Sequence, residues 1–252
     1  MTNLSFLYYS PTGATAEIGR NIARGIVSGF SELDLTRRDV EITALGTDDL
    51  VVVAVPVFSG RVPGQAIEKI KLFKGQATKA VSLVVYGNRA YEDALLELND
   101  TLEKQGFAVI ASGAFIARHS IINEIAAGRP DKKDKDFAEA FAARIKAKLT
   151  DGCLETVRVP GNRPHREVAP GSITPLTADT CITCGKCAIL CPVEAIPEED
   201  PTYTAPGKCT LCMRCVCVCP PRARALPAEY RTKVAEMLAR LAGERRENEL
   251  FV

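Results

Sequence analysis

Several features that point to common protein classes are missing from this sequence. Its 32 basic and 31 acidic residues leave a net charge of only +1, whereas nucleic-acid-binding proteins usually carry a basic excess. No stretch approaches the ~18 consecutive apolar residues of a membrane-spanning helix. The start, MTNLSFLYYS, lacks the basic segment and the small-residue cleavage site of a signal peptide. These absences predict a cytoplasmic protein that binds neither nucleic acid nor membranes.

Tryptophan is absent, and histidine occurs only twice among the 252 residues. Any ring that stacks on a cofactor must therefore be a phenylalanine or a tyrosine. The G-x-G-x-x-G fingerprint of dinucleotide-binding folds is also missing from the first loop. This absence disfavours NAD and FAD as ligands.

Cysteine, in contrast, is abundant, and most of it lies in a duplicated motif. Residues 181–192 read CITCGKCAILCP and residues 209–220 read CTLCMRCVCVCP, so that each copy is C-x2-C-x2-C-x3-C-P. This is the bacterial pattern for [4Fe-4S] clusters, in which the fourth cysteine serves the other cluster. The first cluster is predicted to bind Cys181, Cys184, Cys187 and Cys219, and the second to bind Cys209, Cys212, Cys215 and Cys191.

Structural zinc and free thiols are the alternative interpretations of these cysteines. Zinc sites usually have two separated C-x2-C pairs, and a third cysteine followed by a doubled C-P ending does not fit them. Two of the ten cysteines, Cys153 and Cys217, are left over. For Cys217 we expect a small buried thiol packed beside a cluster, with an alternative-ligand or sensor role left open.

The first 150 residues alternate apolar runs with amphipathic segments. Strands are predicted at 4–9, 50–57, 80–87 and 107–117, and helices at 15–27, 64–73, 91–105 and about 136–149. This alternation predicts a parallel sheet with helices on both faces. Residues 30–49 should hold a second strand but show no convincing helix after it.

The rest of the chain divides by composition. Residues 151–178 are rich in proline and predict an extended linker. Residues 179–226, called the cysteine segment below, follow it, and residues 227–252 predict a C-terminal helix with Val234, Leu238 and Leu241 as its apolar stripe.

Three loops after predicted strands carry the signals for a second cofactor. The first, SPTGAT at 10–15, is either an anion site at a helix start or an ordinary capped helix. Because it follows the first strand, it resembles the phosphate loop of the flavodoxins, whose strand order is 2-1-3-4-5. That resemblance implies FMN, with a phosphate site and two loops beside the ring. The phosphate residues would be Ser10, Thr12, Gly13, Ala14 and Thr15, and the ring residues Pro56, Val57, Phe58, Ser59, Gly60, Gly87, Asn88, Arg89 and Tyr91.

Details near the flavin stay open at this stage. Phe58 or Tyr91 would be the stacking ring, with ordinary packing as the rival interpretation of each. Arg61 and Arg89 are either solvated or close to the flavin. His119 follows the fifth strand, at what we expect to be the sheet edge, and either transfers protons or makes a structural hydrogen bond.

The whole chain resembles the flavodoxin-ferredoxin fusion proteins of anaerobic bacteria and archaea, through PVFSGRVP, VVYGNRAYEDALLEL and IAAGRPD as well as the cysteine motifs. The resemblance implies a flavodoxin-like doubly wound domain followed by a small α+β ferredoxin domain with two clusters. It also implies electron transfer with other redox proteins. An FMN-dependent reductase acting near Tyr91, Arg89 and His119 is the first alternative, and a redox sensor is the second. A homodimer is also open.

Overall fold

The computed structural model describes residues 3–42, 44–152, 155–169 and 171–252. The strands are β1 (Leu4–Tyr8), β2 (Ser31–Asp34), β3 (Leu50–Pro56), β4 (Thr78–Tyr86), β5 (Phe107–Ile116), β6 (Leu176–Thr177), β7 (Arg224–Ala225) and β8 (Glu249–Phe251). The helices are α1 (Ala14–Ile26), α2 (Gly64–Ile70), α3 (Ala94–Lys104), α4 (Lys132–Asp151), α5 (Lys186–Ile189), α6 (Arg214–Cys217) and α7 (Ala228–Leu241).

A six-stranded sheet in the order β2-β1-β3-β4-β5-β8 forms the centre of the larger domain. Strands β1 to β5 are parallel, and this confirms the predicted flavodoxin-like order 2-1-3-4-5. The middle strands are continuous apolar runs because both of their faces are covered. Apolar residues of α2 and α3 pack on one face, and those of α1 and α4 pack on the other.

The sixth strand, β8, was not predicted from the sequence. It pairs antiparallel with β5 through Glu249 to Phe251, so β5 is not an edge strand as we expected. The predicted C-terminal helix is present as α7, but it ends at Leu241. Leu238 is 2% exposed and Leu241 is 50% exposed, so the apolar stripe does not include Leu241.

The connection after β2 contains no helix among its described residues, as the sequence indicated. Arg38 lies in this connection and reaches the cysteine segment. Its guanidinium donates to the carbonyl of Cys191 at 3.2 Å and to that of Ala188, and it pairs with Glu198 at 3.1 Å. The cysteine segment thus packs against the connection after β2, which has no helix that would occupy this space.

The predicted linker packs along the larger domain between residues 155 and 169. Val157 donates its backbone N–H to the Val109 carbonyl at 3.0 Å. Asp93 at the start of α3 is buried and accepts the backbone N–H groups of Asn162 at 2.9 Å and Arg166 at 2.8 Å. These bonds hold the chain against α3 before it enters the cysteine segment.

The cysteine segment is a compact unit built around its internal repeat. Strands β6 and β7 form a small antiparallel pair. Each copy of the motif has a residue in the left-handed conformation before its short helix, with φ 69° at Gly185 and φ 63° at Met213. Of the helices in the described ranges, none has the length and apolar character needed to cross a bilayer.

Candidate cofactor sites

The first predicted set of cysteines surrounds one small cavity, called here the first cysteine cavity. Its walls include Cys181, Cys184 and Cys187 from the first motif and Cys219 from the second. Gly185 and Arg224 also line it. The fold therefore brings the fourth thiol across from the other copy, as the exchange between clusters requires.

The second predicted set surrounds another cavity, called the second cysteine cavity. Cys209, Cys212 and Cys215 line it together with Cys191 from the first motif. Met213 lines the same cavity and is 6% exposed. The bulky apolar side chain thus fills space beside the second site where the first copy has Gly185.

Several thiols accept hydrogen bonds that would stabilise a negative charge on sulfur. The backbone N–H of Ala195 donates to Cys191 at 3.3 Å, and that of Ala223 donates to Cys219 at 3.2 Å. The buried Arg224 donates from Nη1 to the sulfur of Cys187 at 3.5 Å. Both cavities therefore provide hydrogen bonds that would stabilise cysteine sulfurs in the thiolate form.

Burial opposes ionisation of the free thiols in the second set. It raises the pKa of Cys212 to about 12 and that of Cys215 to about 11. Neither thiol would be charged at neutral pH without a bound cation. Binding of iron would therefore have to displace these protons.

The cysteines surround cavities rather than a single point. Within the described ranges, no three His, Cys, Asp or Glu side chains converge closely enough to hold one metal ion. The choice of iron-sulfur clusters over zinc therefore depends on the duplicated C-x2-C-x2-C-x3-C-P motif.

The SPTGAT loop turns directly into α1. Gly13 has φ 97° and is the N-cap residue of the helix, and as a glycine it has no side chain to cap the first N–H groups. Ser10 lies behind the loop, where its hydroxyl accepts the backbone N–H of Ala16 at 3.0 Å. The early N–H groups of α1 other than that of Ala16 are thus available to an anion.

The three predicted flavin loops meet at the carboxyl end of the sheet around a cavity called the loop cavity. Its walls include Thr12, Ala14, Thr15, Pro56, Val57, Phe58, Gly87 and Cys212. The loop cavity therefore joins the SPTGAT loop, the ends of β3 and β4, and a cysteine of the second set.

A larger cavity of about 650 Å³ shares Val57, Phe58, His119 and Ser120 with the loop cavity. Its volume is within the range of ~300–1,000 Å³ typical of small-molecule sites. It is also lined by Ser59, Arg61, Gln65 and Arg89 from the larger domain, by Cys209, Thr210 and Leu211 from the cysteine segment, and by Tyr230, Met237 and Leu238 from α7. The loop cavity at the SPTGAT loop and the large cavity beside it are thus arranged as the phosphate end and the ring end of a flavin site would have to be.

Two buried polar atoms on the wall of the large cavity have no partner. Gln65 Oε1 and Thr210 Oγ1 make no hydrogen bond to any described residue. Such groups are costly unless a ligand satisfies them. A flavin ring, which has amide-like donors and acceptors along one edge, fits this wall. Neither residue was predicted from the sequence, because neither lies in a recognisable motif.

A tight turn shapes the loop after β3. Phe58 and Arg61 exchange backbone hydrogen bonds of 2.9 and 3.1 Å, and Ser59 and Gly60 between them have φ 52° and 82°. A Cβ at Gly60 would lie 1.9 Å from Glu92 Oε2, so the absence of a side chain here permits the close approach of Glu92. Gly60 lines neither the loop cavity nor the large cavity. The turn places Phe58 at both cavities.

The two arginines near the ring end are paired and not free. Arg61 makes a two-point ion pair with Glu97, with N–O distances of 2.6 and 2.8 Å. Arg89 pairs with Glu92 at 2.7 Å. Both still line the large cavity, but carboxylates offset their charges.

Two residues predicted to lie beside the flavin have other partners. Tyr91 is 8% exposed, packs edge-on against Tyr86 and donates its hydroxyl hydrogen to Glu249 at 2.8 Å. Asn88 is 4% exposed and donates to the carbonyls of Ala242 and Glu244, both at 2.8 Å. Neither lines the loop cavity or the large cavity. Of the two candidate stacking rings, only Phe58 is in position.

His119 makes the structural hydrogen bonds that were one of its two interpretations. Its Nδ1 accepts the backbone N–H groups of Ile121 at 3.2 Å and Ile122 at 3.1 Å. Burial, helped by the nearby charge of Arg89, lowers its pKa to about 4. A Cβ at Gly87 would lie 2.4 Å from the ring, so the histidine packs directly on the end of β4. At neutral pH it is an uncharged wall of both cavities.

Two cysteines, Cys217 and Cys153, belong to neither predicted cluster set. Cys217 is exposed, so the prediction of a buried thiol is wrong. It is the last residue of the short helix α6, which has no buried residue on any face. Cys153 lies outside the described residues.

Comparison with known protein families gives a match in the part of the chain that contains the cysteine motifs. Residues 175–235 match a family described as the 4Fe-4S dicluster domain. No sequence among the curated proteins matches the chain.

Among solved structures, the chain is similar to a flavodoxin from the Archaea, with 15% identity over 59% of this chain and 99% of the other and a TM-score of 0.43. It is also similar to a protein described as a flavodoxin, WrbA-like protein, from Agrobacterium tumefaciens, with 14% identity over 60% of this chain and 99% of the other and a TM-score of 0.45. These likenesses are too distant to carry an argument about function. The flavodoxin-like assignment depends on the strand order, and the chain thus joins a flavodoxin-like fold to a 4Fe-4S dicluster domain.

Proposed function

We propose that this chain is an electron-transfer protein that relays electrons between two [4Fe-4S] clusters and FMN, and that its donors and acceptors are other redox proteins. One observation carries this proposal: cysteines of the second set line the cavities assigned to the flavin. Cys209 is in the wall of the large cavity and Cys212 in that of the loop cavity. The first set has no member in either wall.

The chain's own residues would hold the groups in a fixed order. When bound, the clusters supply one-electron exchange and the flavin one- or two-electron exchange. The second cluster would be bound by cysteines of which two, Cys209 and Cys212, also line the cavities assigned to the flavin. The cysteines that would bind the first cluster line neither of these cavities, so the first cluster would be further from the flavin. Arg38 fixes the cysteine segment to the larger domain through the carbonyls of Ala188 and Cys191. Tyr230, Met237 and Leu238 of α7 form part of the wall at the ring end.

The reductase alternative needs a proton donor or a substrate contact at the flavin. Tyr91 was its main candidate, and this side chain is bonded to Glu249 outside both cavities. The Nδ1 atom of His119 accepts two backbone N–H groups, and Arg89 is paired with Glu92. This arrangement supports an electron relay better than a substrate-specific reductase.

The first experiment is analysis of the protein purified without oxygen. The proposal expects about eight iron atoms and eight acid-labile sulfides per chain from two [4Fe-4S] clusters. It also expects one flavin, released as FMN. During stepwise reduction with dithionite, the cluster and flavin absorbances should then decrease together. A flavin that stays oxidised while the clusters are fully reduced at low potential would refute the relay, and zinc in place of iron would refute the cluster assignment.

A further inference from the structure

Arg224, at the start of β7, is a buried cation without an acidic partner. It is 2% exposed. Its Nη1 donates to the carbonyl of Pro201 at 2.7 Å, and its Nη2 donates to the hydroxyl of Thr204. Both acceptors are uncharged, and no Asp or Glu carboxylate in the described ranges bonds to this guanidinium. A buried charge is costly unless an opposite charge lies close to it. Arg224 therefore requires an anion that these contacts do not supply.

The side chain lies at the first cysteine cavity. Arg224 and Cys187 both line this cavity, and Nη1 of the arginine donates to the Cys187 sulfur at 3.5 Å. The Nε of Arg224 is buried and makes no hydrogen bond to any described residue. One donor thus already contacts a predicted cluster ligand, and another has no acceptor. A cluster held in this cavity would bring thiolate and sulfide sulfurs, which accept hydrogen bonds from such donors.

The two copies of the cysteine motif differ at the position of this arginine. Ala195 and Ala223 are equivalent, because the backbone N–H of each donates to the last cysteine of its own motif, four residues earlier. The next residue is Ile196 after the first copy and Arg224 after the second. Ile196 is also 2% exposed, but it lines the second cysteine cavity. At this position of the repeat, only the first cavity receives a cation.

Two other cations line the cysteine cavities, and both are less buried than Arg224. Lys186 lines the first cavity and is exposed. Arg214 lines the second cavity, is half-buried, and donates from Nη1 to the carbonyl of Pro11 in the larger domain at 3.4 Å. Water and salt weaken the effect of an exposed charge far more than that of a buried one. Of these three cations, Arg224 is therefore the one whose charge is least screened.

We propose that Arg224 is the counter-charge of the first cluster and raises its reduction potential. The inference rests on the cluster part of the proposed function and does not depend on the flavin. A cluster becomes one unit more negative when it accepts an electron, so a fixed positive charge and hydrogen bonds to its sulfurs stabilise the reduced form more than the oxidised form. Because Arg224 also holds Pro201 and Thr204, it would connect the cluster to the segment between the two motifs.

The test measures the midpoint potentials of both clusters by redox titration with EPR detection, in protein purified without oxygen. In Arg224→Gln, which keeps hydrogen-bond donors but removes the charge, we expect the equilibrium constant for reduction of one cluster to fall about tenfold. This change corresponds to a potential lower by about 59 mV for one electron. Arg224→Lys keeps the charge and should retain part of the potential. Lys186→Gln is the matched control, because it removes an exposed positive charge from the same cavity, and it should leave both potentials nearly unchanged.

A second measurement covers the case in which Arg224→Gln does not fold. Unmodified protein labelled with ¹⁵N-arginine is reduced with dithionite, and pulsed EPR should detect an arginine nitrogen coupled to a reduced cluster. This coupling should be lost in Arg224→Lys labelled in the same way. The absence of any coupling in the unmodified protein, or its persistence in Arg224→Lys, would overturn the inference. Unchanged potentials in Arg224→Gln, or equal shifts in Arg224→Gln and Lys186→Gln, would do the same. If the unmodified protein contains no iron-sulfur cluster, the proposed function itself fails, and the inference fails with it.

Discussion

His119 gives this fold a dependence on pH that can be worked out from its contacts. Its Nδ1 accepts two backbone N–H groups, and a proton on Nδ1 would break both bonds. Burial lowers its pKa from 6.5 to about 4. The unfolded chain therefore binds more protons than the folded chain below about pH 6.5, and stability is lost as the pH falls toward 4. With these two values, the free energy of unfolding should fall by about 1.3 kcal/mol between about pH 7.5 and pH 5.5.

The variant His119→Asn isolates this effect, because the Asn oxygen still accepts hydrogen bonds but does not titrate. A loss of about 1.3 kcal/mol corresponds to a shift of about 3–5 °C in the unfolding temperature of a chain of this size. We expect the unmodified protein to lose that much more than the variant between the two pH values, followed by circular dichroism without oxygen. Equal losses in both proteins, or an imidazole that titrates near 6.5 by NMR, would refute the reasoning.

Three further predictions test the rest of the assignment. Cys191→Ser and Cys219→Ser should each remove about half of the iron, since each takes one ligand from one cluster. Only Cys191→Ser should greatly slow reduction of the flavin in stopped-flow experiments. Equal slowing in both variants would contradict the order of the cofactors. Tyr91→Phe should cost about 1 kcal/mol of stability through its lost bond to β8 and leave the FMN dissociation constant unchanged, whereas a large change in that constant would return Tyr91 to the flavin site. Arg38→Gln should speed proteolytic cleavage of the segment before the cysteine motifs without loss of iron. Arg20→Gln is the control, because it removes an ion pair within the larger domain. Identical cleavage rates in the two variants would contradict the role of Arg38 between the domains.

Much of the fold could be read from local patterns. The apolar runs of β3 and β4 are continuous because helices cover both faces of the sheet. The alternation of such runs with amphipathic segments predicted parallel strands. The trimmed crossover after β2 was also visible, because no amphipathic period follows that strand. In contrast, the three residues of β8 carry no strand signal of their own, and their pairing with β5 depends on a contact distant in sequence.

The candidate flavin site was only partly predictable, for a related reason. Phe58 lies in the loop expected for it, because the carboxyl ends of parallel strands meet at one edge of the sheet. Tyr91 and Asn88 lie next to such a loop in sequence, but their hydrogen bonds go to residues of the C-terminal segment more than 150 positions away. A polar side chain takes the partner that the fold offers, and the sequence does not show which partner that is.

The sequence by itself therefore predicted the duplicated cysteine motif and the alternation of strands and helices, because short spacings and hydrophobic period are properties of neighbouring residues; the order of strands came from the resemblance to flavodoxins. The tertiary structure alone decided that Cys209 lines the large cavity and Cys212 the loop cavity, that Arg38 and Arg214 reach the other domain, and that Cys217 is exposed. Each of these facts depends on how two separately folded surfaces pack together, and packing between distant segments leaves no periodic signal in the chain.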